Sequence, residues 1–321
     1  SSIEVYIFYA LWYNLQTAPS REYESMKKRL SKKMNIVLCS LMVMLIILVI
    51  WIIWGNTALM VNTTTISSSR IPASFSGFRI AQVSDLHNAE FGESNERLLE
   101  LLSENEPNII VITGDLVDAQ HTNITIALDF AAEAVRIAPV YYVTGNHEAS
   151  LSQYSTLKAG LEVAGVVVLE DEAVQLESNG EAVTLIGLSD PNFTIRGDVF
   201  GEVPDMVNTK LKSLMGDESG YTILLSHRPE LFESYAACDI DLIFSGHAHG
   251  GQFRLPLIGG LIAPNQGFFP KYDAGMFSAH NTHMVVSRGL GNSIIPFQIN
   301  NRPEIILVEL NPNIDSAGQI Q

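Results

Sequence analysis

Phe78 to Asp85 reads FRIAQVSD, Asn108 to Asp115 reads NIIVITGD, and Pro139 to Asn146 reads PVYYVTGN. Each is a mainly apolar run that stops at a polar residue. Such unbroken runs belong to strands covered on both faces, because a strand with one wet face alternates apolar and polar positions. Between the runs the spacing changes. NERLLELLSEN at 95–105 and TIALDFAAEAVRIA at 125–138 repeat apolar residues every three to four positions, which predicts helices. A third helix is expected around Leu151–Glu162. Strand and helix alternate here as in a sheet with helices packed on it.

Downstream the strands outnumber the helices. VVVLE, AVQLE, AVTLIGLSD, YTILLSH, DLIFSGH, HMVVSRG and EIILVEL follow in order. A helix around Val203–Leu214 and a short one after Pro229 interrupt them. The pattern predicts an α/β sandwich with two facing sheets.

Upstream lies a different kind of sequence. Ile36 to Trp54 reads IVLCSLMVMLIILVIWIIW, 19 residues without a charge. As a helix this run would span about 28 Å, close to the thickness of a bilayer's hydrocarbon. Residues 1–35 carry six basic groups (Arg21, Lys27, Lys28, Arg29, Lys32, Lys33) against Glu4, Glu22 and Glu24, and no basic residue follows until Arg70. That asymmetry predicts a cytoplasmic segment at 1–35, a single membrane anchor at 36–54, and everything after it outside the cytoplasm, at the cell membrane. Trp51 and Trp54 sit at the outer end, where indole rings favour the interface. A cleaved signal peptide is the competing reading. Its apolar region is usually shorter, about 7–15 residues, with small residues at the cut, whereas this run ends in WGNTALM. Met26 followed by KKRLSKK reads as a natural start, with residues 1–25 an extension ahead of it. Residues 55–75, rich in Thr and Ser, are expected to form a linker or an edge strand. Residues 313–321 read as a tail.

The whole chain has a formal net charge of −16. With +3 in residues 1–35, the remainder carries −19. No nucleic-acid partner is expected, because a phosphate backbone needs a basic surface. Any phosphate handled here must be met by something local, such as a metal ion. The two cysteines, Cys39 and Cys238, cannot make a disulfide framework or a thiolate cluster.

The polar residues at the strand ends carry the chemistry. They are Asp85 and His87 in SDLH, Asp115 in TGDLVD, Asn146 and His147 in TGNHE, His227 in LSHRPE, and His247 and His249 in SGHAHGGQ. One Asp after a strand is ordinarily a turn or cap residue, and one His is ordinarily structural. Eight such groups, each at a strand end beside small residues, are another matter. Ligands bind beyond the carboxyl ends of strands in sheets of this kind, so residues from 85 to 249 can share one pocket. Carboxylate, imidazole and amide without thiolate suit Mn²⁺, Fe²⁺/³⁺ or Zn²⁺. Seven ligands exceed the needs of one ion, and paired ions about 3.5–4 Å apart are used to attack phosphate esters.

The ordered series D-x-H, G-D, G-N-H-E, H and G-H-x-H resembles the calcineurin-like metallophosphoesterase superfamily, over roughly residues 78–310. The stretch Gly246–Phe277 is similar to its membrane-associated bacterial branch, which includes phosphodiesterases and relatives of UDP-2,3-diacylglucosamine hydrolases. The resemblance implies a four-layer α/β/β/α sandwich of two mixed sheets over 76–312, after one N-terminal transmembrane helix. It implies two divalent metal ions, with Mn favoured. Asp85, His87 and His249 would hold the first, and Asn146, His227 and His247 the second. Asp115 would bridge both, as a carboxylate with two oxygens can. A water between the ions would be acidified to hydroxide and attack phosphorus. His147 would not be a ligand; kept cationic by the incoming phosphate, it would stabilise the transition state or protonate the leaving group.

The resemblance implies a phosphoester substrate; the anchor points to a phosphodiester or pyrophosphate bond in a lipid-linked or cell-envelope molecule, and the alternative is a broad-specificity phosphodiesterase or nucleotidase acting on soluble esters. A scaffold module that binds metal without turnover is the reading from another class. Ala119-Gln120 follows GDLVD where the Ser/Thr protein phosphatases carry Arg-Gly, and Asn88 follows DLH where many relatives have Gly. Both argue against a phosphoprotein substrate. Arg254, Lys271 and Arg288 are read as ordinary surface groups that could instead meet phosphate. His121, His280 and His283 match no motif position, though His283 could line the pocket. Phe268, Phe269 and Tyr272 lie in a Gly/Pro-rich loop that could touch a membrane or pack on its own core.

Overall fold

The computed structural model describes residues 20–195, 202–216, 220–292 and 297–313. Residues 1–19 of the expected N-terminal extension and residues 314–321 of the expected tail lie outside the described residues. The chain divides into two compact units, the first ending at Ile53 and the second starting at Trp54.

The first unit is one helix, α1 (Ser20–Thr57), which runs four residues past the division. It contains the basic cluster and the whole apolar run. Nearly all of its apolar side chains are exposed, and it is long and apolar enough to cross a membrane. A helix that is apolar on every side needs an apolar surrounding.

In the second unit, β1 (Met60–Ser68), β2 (Phe78–Val83), β3 (Ile109–Thr113), β4 (Val140–Val143) and β5 (Val167–Val168) join the last strand, β16 (Glu304–Pro312). Their order is β1-β16-β2-β3-β4-β5. β2 to β5 run parallel, and β16 is antiparallel to β2. The Thr/Ser-rich segment is therefore an edge strand, paired with β16 from Met60–Glu304 to Ser68–Pro312.

The second sheet comprises β6 (Glu172–Ser178), β7 (Glu181–Gly187), β8 (Thr222–Leu225), β9 (Leu242–Ser245), β14 (Gly275–Ala279) and β15 (Thr282–Val286), in the order β14-β15-β9-β8-β7-β6. Here β7, β8, β9 and β15 run parallel, with an antiparallel strand at each edge. Two small hairpins, β10–β11 (Arg254–Leu255, Gly259–Gly260) and β12–β13 (Ile262–Ala263, Gly267–Phe268), follow β9. They come from a stretch of Gly, Pro and apolar residues whose periodicity gave no sign of them.

Three apolar layers make this an α/β/β/α sandwich of two mixed sheets. One lies between the sheets, with Ile80, Val111, Ile223, Phe244 and Val308 among its members. One covers the outer face of the first sheet with helices that carry Leu98, Phe130 and Leu157. The third covers the second sheet with Val207, Leu211 and Phe232. A polar stitch joins the sheets where the parallel strands end: buried Gln82 donates through Nε2 to Thr113 Oγ1 (2.9 Å) and to Ser245 O (2.8 Å). Phe244 is fully buried between the sheets. Phe244→Ala should destabilise the protein by about 3–5 kcal/mol, read as a lower denaturant midpoint; a loss under about 1 kcal/mol would mean the two sheets do not share that layer.

Candidate metal centre

All the sequence-selected residues follow the C-terminal ends of parallel strands, three in one sheet and two in the other. β2 leads to Asp85 and His87, β3 to Asp115, and β4 to Asn146 and His147. β8 leads to His227, and β9 to His247 and His249. Facing sheets aim both sets at one point. Asp85, His87, Asp115 and His249 present ligand atoms within 4.8 Å of one another, and so do Asp115, His227 and His247. Asp115 belongs to both groups.

The backbone is bent hard to do this. Asp85, His87, Asp115, His247 and His249 have φ of 52°, 45°, 53°, 65° and 45°, a region that residues with a Cβ seldom enter. The neighbouring glycines leave the room required. A Cβ on Gly145 would sit 2.2 Å from Asp115 Oδ1, and one on Gly246 would sit 2.0 Å from Ser84 Oγ.

Around His227 the polar atoms are nearly all acceptors. Its Nδ1 lies 2.7 Å from the carbonyl of Thr113, so that nitrogen donates. Its Nε2 faces Asp115 Oδ2 at 3.2 Å, Asn146 Oδ1 at 3.2 Å and His247 Nδ1 at 3.2 Å. Such a cluster needs positive charge at its centre. In the chain alone a proton supplies it: burial disfavours the imidazolium, but the Asp115 carboxylate overrides burial and raises His227 to about 10. Burial would likewise raise Asp115, yet His227 beside it holds it well below the usual carboxylate range. A divalent cation meets the same need.

The other pole is similar. His87 Nε2 and His249 Nε2 are 3.2 Å apart, with Asp85 Oδ1 3.3 Å from His249 and Asp115 Oδ2 3.6 Å from His87. Burial pushes His87 well below its ordinary pKa, although Asp115 opposes this. Burial, and then Arg228, do the same to His247. Neutral imidazoles are the form that binds metal. The donor set therefore fits a pair of divalent cations.

His147 stands at the rim. Its backbone N–H donates to Asp115 Oδ1 (2.9 Å), and its ring Nδ1 accepts from Ala119 N–H (3.1 Å). A nitrogen that accepts carries no hydrogen, so the neutral ring is protonated on Nε2.

Three more residues shape the site and were not singled out from the sequence. Glu148, fully buried, accepts through Oε2 from Asp115 N–H (2.8 Å) and Gly145 N–H (2.7 Å), and through Oε1 from Val117 N–H (3.3 Å). Burial, followed by the charge of Asp115, lifts its pKa to about 7. Arg228 is held by both oxygens of Asp190, with Nη2 to Oδ1 at 3.0 Å, and places Nη1 3.1 Å from His247 Nε2. Asp190 closes the run AVTLIGLSD, so the strand-end rule that found Asp85 could have found it.

The remaining basic groups separate. Arg254 is tied to Asp273 (2.9 Å) and half-buried Arg288 lies 3.6 Å from Glu304, so neither is an ordinary surface group. Lys271 is exposed and pairs with Glu233 (2.8 Å). His283 is level with Leu242, at the far end of the second sheet from His247, and does not line the site. His121 and His280 are exposed. Tyr272 packs on Phe232 and Phe277 with ring centroids 5.4 and 5.1 Å away, whereas Phe268 and Phe269 are exposed.

Residues 78–251 match the calcineurin-like phosphoesterase family. The chain belongs to that family. It is 32% identical over 260 residues to an uncharacterized metallophosphoesterase of Bacillus subtilis, YkuE, covering 78% of this chain and 86% of that one. It is 27% identical over 241 residues to the phosphodiesterase YaeI of Escherichia coli, covering 73% and 82%. A bovine transmembrane protein with a metallophosphoesterase domain is 30% identical over 258 residues, covering 76% of this chain and 55% of that protein. As a calcineurin-like phosphoesterase the chain is a metal-dependent hydrolase of phosphoesters. Glu148 holds the Asp115 and Gly145 backbones at the seam of this family's site. Glu148→Gln, which sets an amide against those N–H groups, should lower hydrolysis and bound metal about 10- to 100-fold with the thermal midpoint little changed. Unaltered metal content, measured by elemental analysis, would refute the positioning role.

Proposed function

We propose that the enzyme cleaves a phosphodiester or pyrophosphate bond in a lipid-linked or envelope-derived molecule, outside the cytoplasm, with two divalent ions of which Mn²⁺ is favoured. The observation that carries the two-ion reading is the place of Asp115 in both ligand groups. Asp85, His87 and His249 would hold one ion, Asn146, His227 and His247 the other, and Asp115 both. When bound, the ions would acidify the attacking water and draw in the phosphoryl oxygens, which an acidic chain otherwise repels.

The protein's own groups do the rest. Asp115 is fixed by its N–H on Glu148 and by the His147 N–H on its Oδ1, so its carboxylate cannot turn away as substrate arrives. His147, with its hydrogen on Nε2, donates to a phosphoryl or leaving-group oxygen. Arg228, anchored by Asp190, keeps a fixed positive charge beside His247.

The lipid-linked substrate and the outward orientation rest on the apolar helix and the basic residues before it. Residues 1–35 would lie in the cytoplasm, 36–54 in the membrane and the catalytic domain of 76–312 outside.

Asp115→Asn and His147→Ala, tested on Mn²⁺-loaded protein with an aryl phosphodiester, should each lower turnover by at least about 100-fold while the fold persists. Near-normal turnover in either would remove that residue from the mechanism. A compartment-sensitive reporter fused to the C-terminus should be active only outside the cytoplasm; a cytoplasmic signal would reverse the orientation.

A further inference from the structure

The hairpins β10–β11 and β12–β13 are rooted on the turn that carries His249. Leu261 N–H donates to Gly251 O (3.0 Å) and Phe253 O (2.8 Å), and Phe269 N–H donates to Leu261 O (2.9 Å). A Cβ on Gly251 would lie 2.3 Å from Gly260 Cα, so the first hairpin is pressed against the His249–Gly251 turn. The turn of the first hairpin and the end of the second hairpin's return strand are apolar and bare. Leu257 is fully exposed, Ile258 is 62% exposed, Phe268 71% and Phe269 62%. Leu257 and Phe269 also hold left-handed backbones, with φ of 69° and 54°, which bulky apolar residues seldom adopt. Exposed apolar residues scattered singly need no explanation, but four on two successive hairpins mark an interaction surface.

The chain itself says what lies near. Phe253 bridges to Ile299, and Arg254 N–H donates to Ile299 O (2.9 Å). The preceding residue, Gln298, donates its N–H to Asn56 Oδ1 (2.7 Å), and Asn56 Nδ2 donates to Gln298 O (2.9 Å). Arg302 lies 4.8 Å over the Trp54 ring and donates to Ala58 O (2.9 Å) and Leu59 O (2.7 Å). The bases of the hairpins are thus stitched to residues 54–59, immediately after the apolar run. Leu257 is three residues from Arg254, a reach of at most about 11 Å. An apolar side chain needs to enter only about 5–10 Å to reach the acyl boundary of a bilayer.

We propose that Leu257 and Ile258 at the turn of the first hairpin, with Phe268 and Phe269 at the end of the second hairpin's return strand, insert into the outer surface of the bilayer that the N-terminal helix spans, and so hold the His249 side of the metal site at the lipid headgroups. This rests on the reading of that helix as a membrane span. The docking is apolar, not electrostatic. The residues beyond 35 carry −19, and Lys271, the basic residue nearest Phe269 in sequence, is engaged by Glu233. Insertion should therefore be as strong in zwitterionic vesicles as in anionic ones. The substrate class follows: a phosphoester whose apolar part stays in the membrane while its phosphate reaches the ions.

The test uses the full chain in phosphatidylcholine vesicles, with Cys39→Ser and Cys238→Ser, and an environment-sensitive fluorophore on Leu257→Cys or Phe268→Cys. A label on Val163→Cys, at an exposed helix position, is the control. Nitroxide-bearing lipid should quench the hairpin labels several-fold more than the control, and aqueous iodide should quench them several-fold less. Hairpin labels as open to iodide as the control would overturn the proposal. So would labels shielded from both quenchers, which would indicate a second copy of the chain. Alkaline extraction separates the two readings: protein retained in the pellet with wet hairpin labels refutes docking alone, and protein released refutes the span and the docking together. As a second measurement, Leu257→Asp with Phe268→Asp should leave hydrolysis of a soluble aryl phosphodiester unchanged and slow a vesicle-borne phosphodiester several-fold. Equal rates on the vesicle substrate would overturn the proposal.

Discussion

A carboxylate cut off from water must be surrounded by donors or by positive charge, and Asp115 is that carboxylate here. It sits at the seam of two sheets. His87 reaches it from its own sheet and His227 from the other, while the backbone N–H of His147 caps its second oxygen. Without positive charge the cluster would be a set of lone pairs facing one another. The need for a cation is therefore built into the fold, and the family's hydrolytic chemistry uses that same charge.

The scaffold serves this centre by placing strand ends, not strand faces, in the site. The strand bodies are buried and interchangeable in kind; Ile, Val and Leu fill the layer between the sheets. The turns just beyond are specific. Five of the ligand-bearing residues hold backbone conformations that an L-residue avoids, and the packed sheets beneath supply the stability that tolerates them. Gln82, joining Thr113 to Ser245 across the layer, keeps the two sets of turns in register.

The acidic surface and the metal site look contradictory until scale is considered. A net charge of −16 acts on the approach of an anion over roughly a Debye length, about 8 Å in physiological salt. Within the pocket a bound cation would act beside the fixed guanidinium of Arg228.

The amino-acid sequence by itself determined which strands are doubly buried, where each one stops, and which ligand-capable groups stand at those stops. Those are local properties, set by apolar runs and the residues that end them. Tertiary structure decided which groups meet. The role of Glu148 depends on a helix turning its carboxylate back onto Asp115 and Gly145, and nothing in the spacing of GNHE reveals that. Arg228 and Asp190 are 38 positions apart and pair only because β7 and β8 are neighbours. The hairpins with Leu257 and Phe268 have no periodicity to read, since two-residue strands are held by long-range contacts to the His249 turn. The side-chain hydrogen on His147 likewise follows from a backbone donor, Ala119, in another loop. Chemistry that belongs to a residue type is legible along the chain, whereas orientation, protonation and adjacency come from pairings that only the packed sheets bring about.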